Sequence, residues 1–292
     1  MSTLRELKGR IGSVASSEKI TGAMKMISSA KMHKAEQALA RVVPFRNQLQ
    51  TIMGNLVSTD AEYASELTET REPATAAFIV LGSDDGLCGA YNINIFKGLL
   101  ARINELRSKN TELQIAIYPI GRKMEKAVSK LAGDFIRVEK TGVPAKAGIE
   151  EVKSLTNRVK DDFVGHRADR VEIVSMKFIS AGRQRLGIQQ LLPVAAEAFG
   201  ESASTAVNRP YLFEPDANRI YNTVLPLYVV SVMQEVFCQN AASEQAARVM
   251  AMQSANDNAA KLLDSLKLEY NKLRQQSITA ELLDILGGQV EK

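Results

Sequence analysis

The stretch Leu227–Leu286 decides the fold: LYVVSVMQEV (227–236), FCQNAASEQAARVMAMQSANDNAAKLL (237–263) and DSLKLEYNKLRQQSITAELLDIL (264–286) contain neither Gly nor Pro. Gly costs about 1 kcal/mol and Pro about 3 kcal/mol in a helix interior, so a run this long without either predicts one continuous helix. At 1.5 Å per residue it is about 90 Å long. A body built from the middle of the chain, about 130 residues, is only about 35–40 Å across. The helix therefore outruns any core its own chain can build, and its apolar side must meet something else. Val229, Met233 and Val236 step by four and three, as do Ala259, Leu263, Leu266, Tyr270 and Leu273, and then Ile278, Leu282 and Ile285. This narrow stripe is a coiled-coil seam rather than the wider face of a helix on a globular core. Taken singly, each residue reads as ordinary core; the length argues for more.

A second seam lies at the other end of the chain. Ser2 or Thr3 caps a first helix with Glu6 in its opening turn, and Leu4, Leu7, Ile11 and Val14 step by three and four. Ile20, Met24 and Ile27 continue it, then Ala35, Ala38 and Val42. Gly9, Gly12 and Gly22 weaken this helix, and Pro44 is expected to kink or end it near Val43, with Phe45–Val57 resuming it. Two long seams joined through a central body are most simply each other's antiparallel partners.

Between them the period changes. Thr75–Leu81, Leu113–Tyr118 and Phe135–Val138 read as strands; Ala90–Ser108, Met124–Leu131 and Glu150–Phe163 read as helices. Val171–Ile179 and Ile188–Val194 read as a hairpin through Gly182 and Gly187. Strands alternating with helices predict an open, Rossmann-like α/β sheet. The expected organisation is thus a coiled-coil helix over 1–58, an α/β domain over 74–200 and a coiled-coil helix over 209–287. Thr59–Pro73 and Gly200–Asn208 act as linkers, Pro215 opens the last helix, Pro226 bends it, and Gly287–Gly288 stop it.

The chemistry-bearing residues are sparse. Gly82-Ser83-Asp84-Asp85-Gly86-Leu87-Cys88-Gly89 joins a strand to a helix, where phosphate loops sit, but its glycine spacing fits neither dinucleotide fingerprint nor P-loop. Asp84 and Asp85 would repel a phosphate, so a tight turn is the plainer reading. Cys88 has no adjacent His, and no paired carboxylates or Ser-His-Asp set stands out. Cys88 and Cys238 are the only cysteines and His33 and His166 the only histidines, without metal-ligand spacing, which points to a reducing compartment and no metal. Net charge is +4, and residues 1–46 carry nine Lys and Arg against three Glu, or +6. A basic face without interleaved aromatics suits an acidic protein surface better than nucleic acid. Met1–Ser13 is polar, so no signal peptide is expected, and no apolar run approaches the roughly 18 residues a membrane span needs.

Four blocks carry a resemblance. Lys19-Ile20-Thr21-Gly22-Ala23-Met24-Lys25-Met26, Ser83-Asp84-Asp85-Gly86-Leu87-Cys88-Gly89, Tyr211-Leu212-Phe213-Glu214-Pro215 and a long C-terminal block are similar, in order, to motifs of the γ subunit family of F-type ATP synthases. The C-terminal block runs from Ala242-Ser243-Glu244-Gln245-Ala246-Ala247-Arg248 through Asp257-Asn258-Ala259 and Tyr270-Asn271-Lys272 to Arg274-Gln275, Ile278-Thr279 and Glu281. Gly22 stands where that family usually has Lys, Asp85 where it usually has Arg, and Gln289 and Glu291 replace small residues. The resemblance implies a non-catalytic central rotor shaft, without cofactor, that couples proton flow to ATP synthesis or hydrolysis. It implies α and β subunits, an ε subunit and a membrane c-ring as partners, with membrane contact only through the c-ring. By the same resemblance Lys19, Met24, Lys25 and Cys88, and at the upper end Arg274, Gln275, Thr279 and Glu281, face the β subunit. Tyr211, Phe213 and Glu214 belong to the foot on the c-ring. Without a transit peptide, the implied location is the cytoplasmic face of a bacterial inner membrane. Two rivals stand beside it: a small-molecule enzyme on the α/β core with the helices as a dimer handle, and a basic coiled-coil adapter for nucleic acid.

Overall fold

The computed structural model describes residues 3–57, 63–195, 198–199 and 214–287, with side chains to Leu283. The chain divides into two units, Met1–Ser28 with Arg248–Lys292, and Ser29–Ala247. Two helices supply residues to both: α1 (Leu4–Val57) and α5, the last (Ala217–Gly287).

The larger unit is a doubly wound sheet. Its strands are β1 (Thr75–Leu81), β2 (Gln114–Ile120), β3 (Ile136–Val138), β4 (Arg170–Ser180) and β5 (Arg183–Leu192), in the order β3-β2-β1-β4-β5. The first four run parallel, and β5 returns antiparallel along β4. The helices between them are α2 (Tyr91–Lys109), α3 (Arg122–Val128) and α4 (Ile149–Val164). Strand side chains alternate faces. Ala77, Ile79 and Leu81, with Tyr118 and Ile173, meet Val152, Leu155, Val159 and Phe163 of α4. The same cluster takes in Leu49, Met53 and Leu56 of α1 and Leu225, Val229, Met233, Val236 and Phe237 of α5. Phe78 and Val80, with Ile117 and Val174, meet Ile95, Leu99 and Ile103 of α2 and Met124 and Val128 of α3. Both faces are covered, which is why β1 reads as an unbroken apolar run.

The two long helices contribute paired segments to this unit. Arg46 Nε of α1 donates to Glu235 Oε2 of α5 at 2.8 Å. Lys34, Ala35 and Ala38 share one cavity wall with Phe237, Cys238 and Ala241. Lower numbers on α1 thus meet higher numbers on α5, so the segments are antiparallel. Helix α1 continues through Pro44, so the helix does not end near Val43. Anchoring on its C-terminal side by Arg46, Leu49, Met53 and Leu56 outweighs the roughly 3 kcal/mol that an internal proline costs. Pro226 likewise lies inside α5, whereas Pro215 falls before it. Asp216 caps α5 instead, its Oδ1 accepting from Arg219 N at 2.8 Å.

Helix α5 also contains an 18-residue window apolar enough, by length and composition alone, to cross a bilayer. The reading that nothing in the chain meets that standard is therefore corrected. Much of α5's apolar content answers instead to the sheet, where Leu225, Val229 and Met233 are buried.

The smaller unit is a helix pair. A capping box starts α1, with Glu6 N donating to Thr3 Oγ1 at 3.3 Å and Thr3 N to Glu6 Oε2 at 2.9 Å. Thr21 Oγ1 donates to Asn256 Oδ1 across the pair at 3.2 Å, and Gly22 lies against the same amide. Counting both helices outward from that contact at equal rise brings Leu4 level with Leu273. The burial agrees: Leu7, Leu263 and Leu266 are buried, Tyr270 and Leu273 half-buried, and Ile278 and Leu282 exposed.

Candidate partner-facing surfaces and a closed sheet crevice

Open parallel sheets bind ligands beyond the carboxyl ends of the strands, where strand order reverses. Here that point lies between β1 and β4. From β1 the chain steps outward through β2 to β3, then crosses by α4 to the other side of β1. The place is filled by the chain's own helix. Asn240 Nδ2 of α5 donates to Gly82 O, just past β1, at 3.0 Å. Tyr91 OH, opening α2, donates to Asn240 Oδ1 at 2.6 Å. Ser243 Oγ donates to Met176 O of β4 at 3.1 Å. Asn240 and Ser243 are both 0% exposed, so the place between β1 and β4 is taken by side chains of α5.

The loop after β1 explains its glycines and aspartates in the same terms. A Cβ on Gly82 would stand 2.5 Å from Met124 Cβ, and one on Gly121, whose φ is +87°, would stand 2.8 Å from Ser83 O. Asp84 Oδ1 accepts from Ala145 N at 3.1 Å and Arg122 N at 3.3 Å. Asp85 pairs with Arg122 at 3.2 Å and lies 3.8 Å from Lys146 Nζ. The two carboxylates thus tie three neighbouring loops together at the carboxyl end of the sheet. Cys88 is buried, its Sγ 3.5 Å from Asn92 Nδ2 and 3.8 Å from Ser83 Oγ. Besides Asp85, this loop presents to solvent the apolar side chain of Leu87, 59% exposed and held at φ +61°. A non-glycine residue in that region is uncommon, and an apolar one turned to water more so. Reading along the motif singles out Cys88 and misses Leu87; only the backbone angle reveals it.

On the helix pair, Lys19 is exposed and Met24 and Lys25 are half-buried. The expected α1 seam differs here. Ile20 and Ile27 are exposed, as is Met26 at 69%, while Thr21, Gly22 and Lys25 are half-buried and Ser28 is buried. Small and polar residues line the inner side because they allow close approach, as Gly22 against Asn256 does. The isoleucines are left outward. Arg274, Gln275, Thr279 and Glu281 all lie exposed on α5, with Thr279 Oγ1 donating back to Gln275 O at 2.9 Å. Leu282 and Leu283 beside them are exposed too. Glu214 is exposed just before α5, whereas Tyr211 and Phe213 lie outside the described residues.

In the larger unit, Lys31, Lys34 and Lys146 line a cavity of about 490 Å³ with Ala38, Phe237 and Cys238. Burial, and secondarily Glu235, push the Cys238 thiol above its ordinary pKa, so it stays a protonated, apolar wall. Burial likewise raises Tyr221 and Tyr228.

The family pattern described as ATP synthase is matched by residues 3–290. The ATP synthase gamma chain of Parabacteroides distasonis is 39% identical over 288 residues, covering 99% of this chain and 98% of that one. The ATP synthase gamma chain of Acinetobacter baylyi is 32% identical over 288 residues, covering 99% of each. Among solved structures, a chain of the Euglena gracilis mitochondrial ATP synthase, in its OSCP/F1/c-ring assembly, superposes with a TM-score of 0.64 at 20% identity, over 98% of this chain and 93% of that one. A chain of the Tetrahymena thermophila mitochondrial ATP synthase central stalk and c-ring superposes at 0.56 with 24% identity, over 81% and 99%. At these identities the two solved structures speak to the fold.

Proposed function

The chain belongs to the ATP synthase γ chain family, and from that membership we propose that it is the non-catalytic central-stalk rotor of a proton-translocating ATP synthase. It transmits torque between a membrane c-ring and the catalytic β subunits. The observation that carries the non-catalytic part is the crevice between β1 and β4: helix α5 occupies with Asn240 and Ser243 the place where a sheet of this kind would hold a nucleotide. The chemistry then belongs to partners, and this chain contributes contacts that differ as it turns. A switch responds only to such differences.

The contact surfaces follow from what the helices leave in water. Ile20, Met26 and Ile27 are apolar groups unused by the pair, with Lys19 beside them. They suit a partner that is acidic at its edge and apolar behind, which we assign to β. Lys31, Lys34 and Lys146 extend the same charge preference. Leu87, rather than Cys88, is the outward apolar contact of the β1–α2 loop. Arg274, Gln275, Thr279 and Glu281 are the polar contacts at the far end of α5, where Leu282 and Leu283 supply an apolar collar surface. Glu214, with Tyr211 and Phe213, is assigned to the foot on the c-ring, beside an ε subunit. The membrane is reached only through that ring, at the cytoplasmic face of a bacterial inner membrane.

The test is co-expression with α and β subunits. The chain is expected to co-purify with a nucleotide-binding hexamer and to bind no ATP alone in equilibrium dialysis. Replacing Arg274 and Gln275 together by Ala is expected to lower ATP synthesis by reconstituted vesicles while leaving the melting point of the isolated chain unchanged. Tight ATP binding by the isolated chain, or purification without the hexamer, would refute the reading.

A further inference from the structure

A rotor needs its long helix to turn with the sheet, not within it. Apolar packing is non-directional, and between Leu225 and Phe237 the contacts of α5 with the sheet are those of an apolar cluster, its directed bond there, from Arg46 to Glu235, reaching α1 rather than the sheet. Such packing resists separation better than it resists slip. One turn further on, the contacts change kind. Asn240 is fully buried, donates to Gly82 O at 3.0 Å and accepts from Tyr91 OH at 2.6 Å. Ser243 is fully buried and donates to Met176 O at 3.1 Å. These bonds key α5 to β1 on one side and β4 on the other.

We propose that Asn240, held by Tyr91, is the positioning residue that fixes the rotational setting of α5 against the sheet, so that torque passes between them without slip. The proposal rests on the rotor reading above. Its geometry is demanding. A side-chain tip about 5–6 Å from the helix axis moves about 2 Å when the helix rotates by about 20°. That carries the bond to Gly82 O past the roughly 3.2 Å limit of a good hydrogen bond. Gly82 cannot follow, because its Cα already leaves no room for a methyl group beside Met124, and its N–H is held by Ile120 O at 3.0 Å. Rotation would therefore strand a buried carbonyl and a buried amide together, which makes the native setting a discrete minimum.

The experiment uses the assembled complex in sealed vesicles, with the wild-type chain, Tyr91→Phe, Asn240→Leu and Ser243→Ala. Ions pumped per ATP hydrolysed are measured without and with an opposing ion gradient. Tyr91→Phe keeps the ring and removes only the hydroxyl that holds Asn240. In Tyr91→Phe and Asn240→Leu complexes the ratio is expected to fall, and to fall further as the gradient steepens. Unproductive turnovers should rise about tenfold, the factor set by one buried hydrogen bond. A role confined to stability would lower the amount of assembled complex and its melting point but leave the ratio at every gradient unchanged; that result overturns the proposal. If Asn240→Leu fails to assemble, Tyr91→Phe decides alone. If the wild-type chain neither assembles nor couples, the rotor reading has failed instead, which these measurements separate from failure of the joint.

Discussion

Replacing Glu172 by Gln is expected to destabilise the chain by about 3–5 kcal/mol, the cost of breaking a buried ion pair from one side. Glu172 lies in β4 and is 1% exposed. Its Oε1 and Oε2 accept from Arg102 Nη2 at 2.7 Å and Nε at 2.8 Å, a two-pronged pairing. Arg170 Nε stands 2.7 Å from Oε1, but off the line of a hydrogen bond, so it contributes charge rather than a directed bond. One buried carboxylate thus answers two guanidiniums. Hydrogen bonding to Glu172 holds the Arg102 proton more tightly than usual. An amide in its place would turn an N–H toward a donor, take the carboxylate away from Arg170 and leave Arg102 only the exposed Glu105. With a melting shift of about 2–4 °C per kcal/mol for a unit of this size, the drop should be about 6–20 °C. The control is Glu105→Gln. Glu105 also meets Arg102, at 2.7 Å, but its side chain is 50% exposed. Water already screens that pair, so the loss should be far smaller than for Glu172. Thermal unfolding by circular dichroism of the two variants decides the matter. Equal, small shifts would show that water reaches Glu172 and that the desolvation argument is wrong.

Three more expectations are open to direct measurement. Burial, then the hydrogen bond to Asp162, raises the Tyr118 phenol above its ordinary 10.0, so the folded state favours the proton. Its contribution is complete below about pH 10 and lost as pH rises beyond; denaturant titrations from about pH 9 to 11 should show a shallower alkaline decline for Tyr118→Phe. Gly82→Ala should cost about 1–3 kcal/mol by overpacking against Met124, whereas Gly9→Ala, with nothing within 4 Å, should gain about 0.5–1 kcal/mol, both read from chemical denaturation. Leu7→Ala empties a fully buried position on the helix pair and should cost about 2–5 kcal/mol, read as earlier amide exchange along α1 near Leu7.

The sequence is most legible where one physical force decides. Thr75–Leu81 is recovered to the residue because it is apolar, buried on both faces and closed by a glycine that sterics require. The start of β5 is missed. Arg183-Gln184-Arg185 is polar, and those residues are strand only because β4 offers a ladder to pair with. The helix end expected near Val43 fails for a related reason, since tertiary anchoring overrides a local cost. The α1 seam is read one face off between Ile20 and Ile27. Counting apolar residues assumes that apolar means inward, while close helix approach selects small and polar side chains. The loop around Cys88 shows the same limit. Its motif is visible in the chain, but which side chain turns to solvent is set by a positive φ at Leu87 that no residue pattern announces.

The outward isoleucines of α1 also bear on how a cell must make this protein. A helix that turns Thr21 and Ser28 inward and leaves Ile20, Met26 and Ile27 wet is poorly suited to being stockpiled. Freshly synthesised copies would cluster through that ridge unless companions cover it promptly. Production is therefore expected to be matched in number and in time to that of the subunits that enclose it, and surplus copies to be cleared by proteolysis.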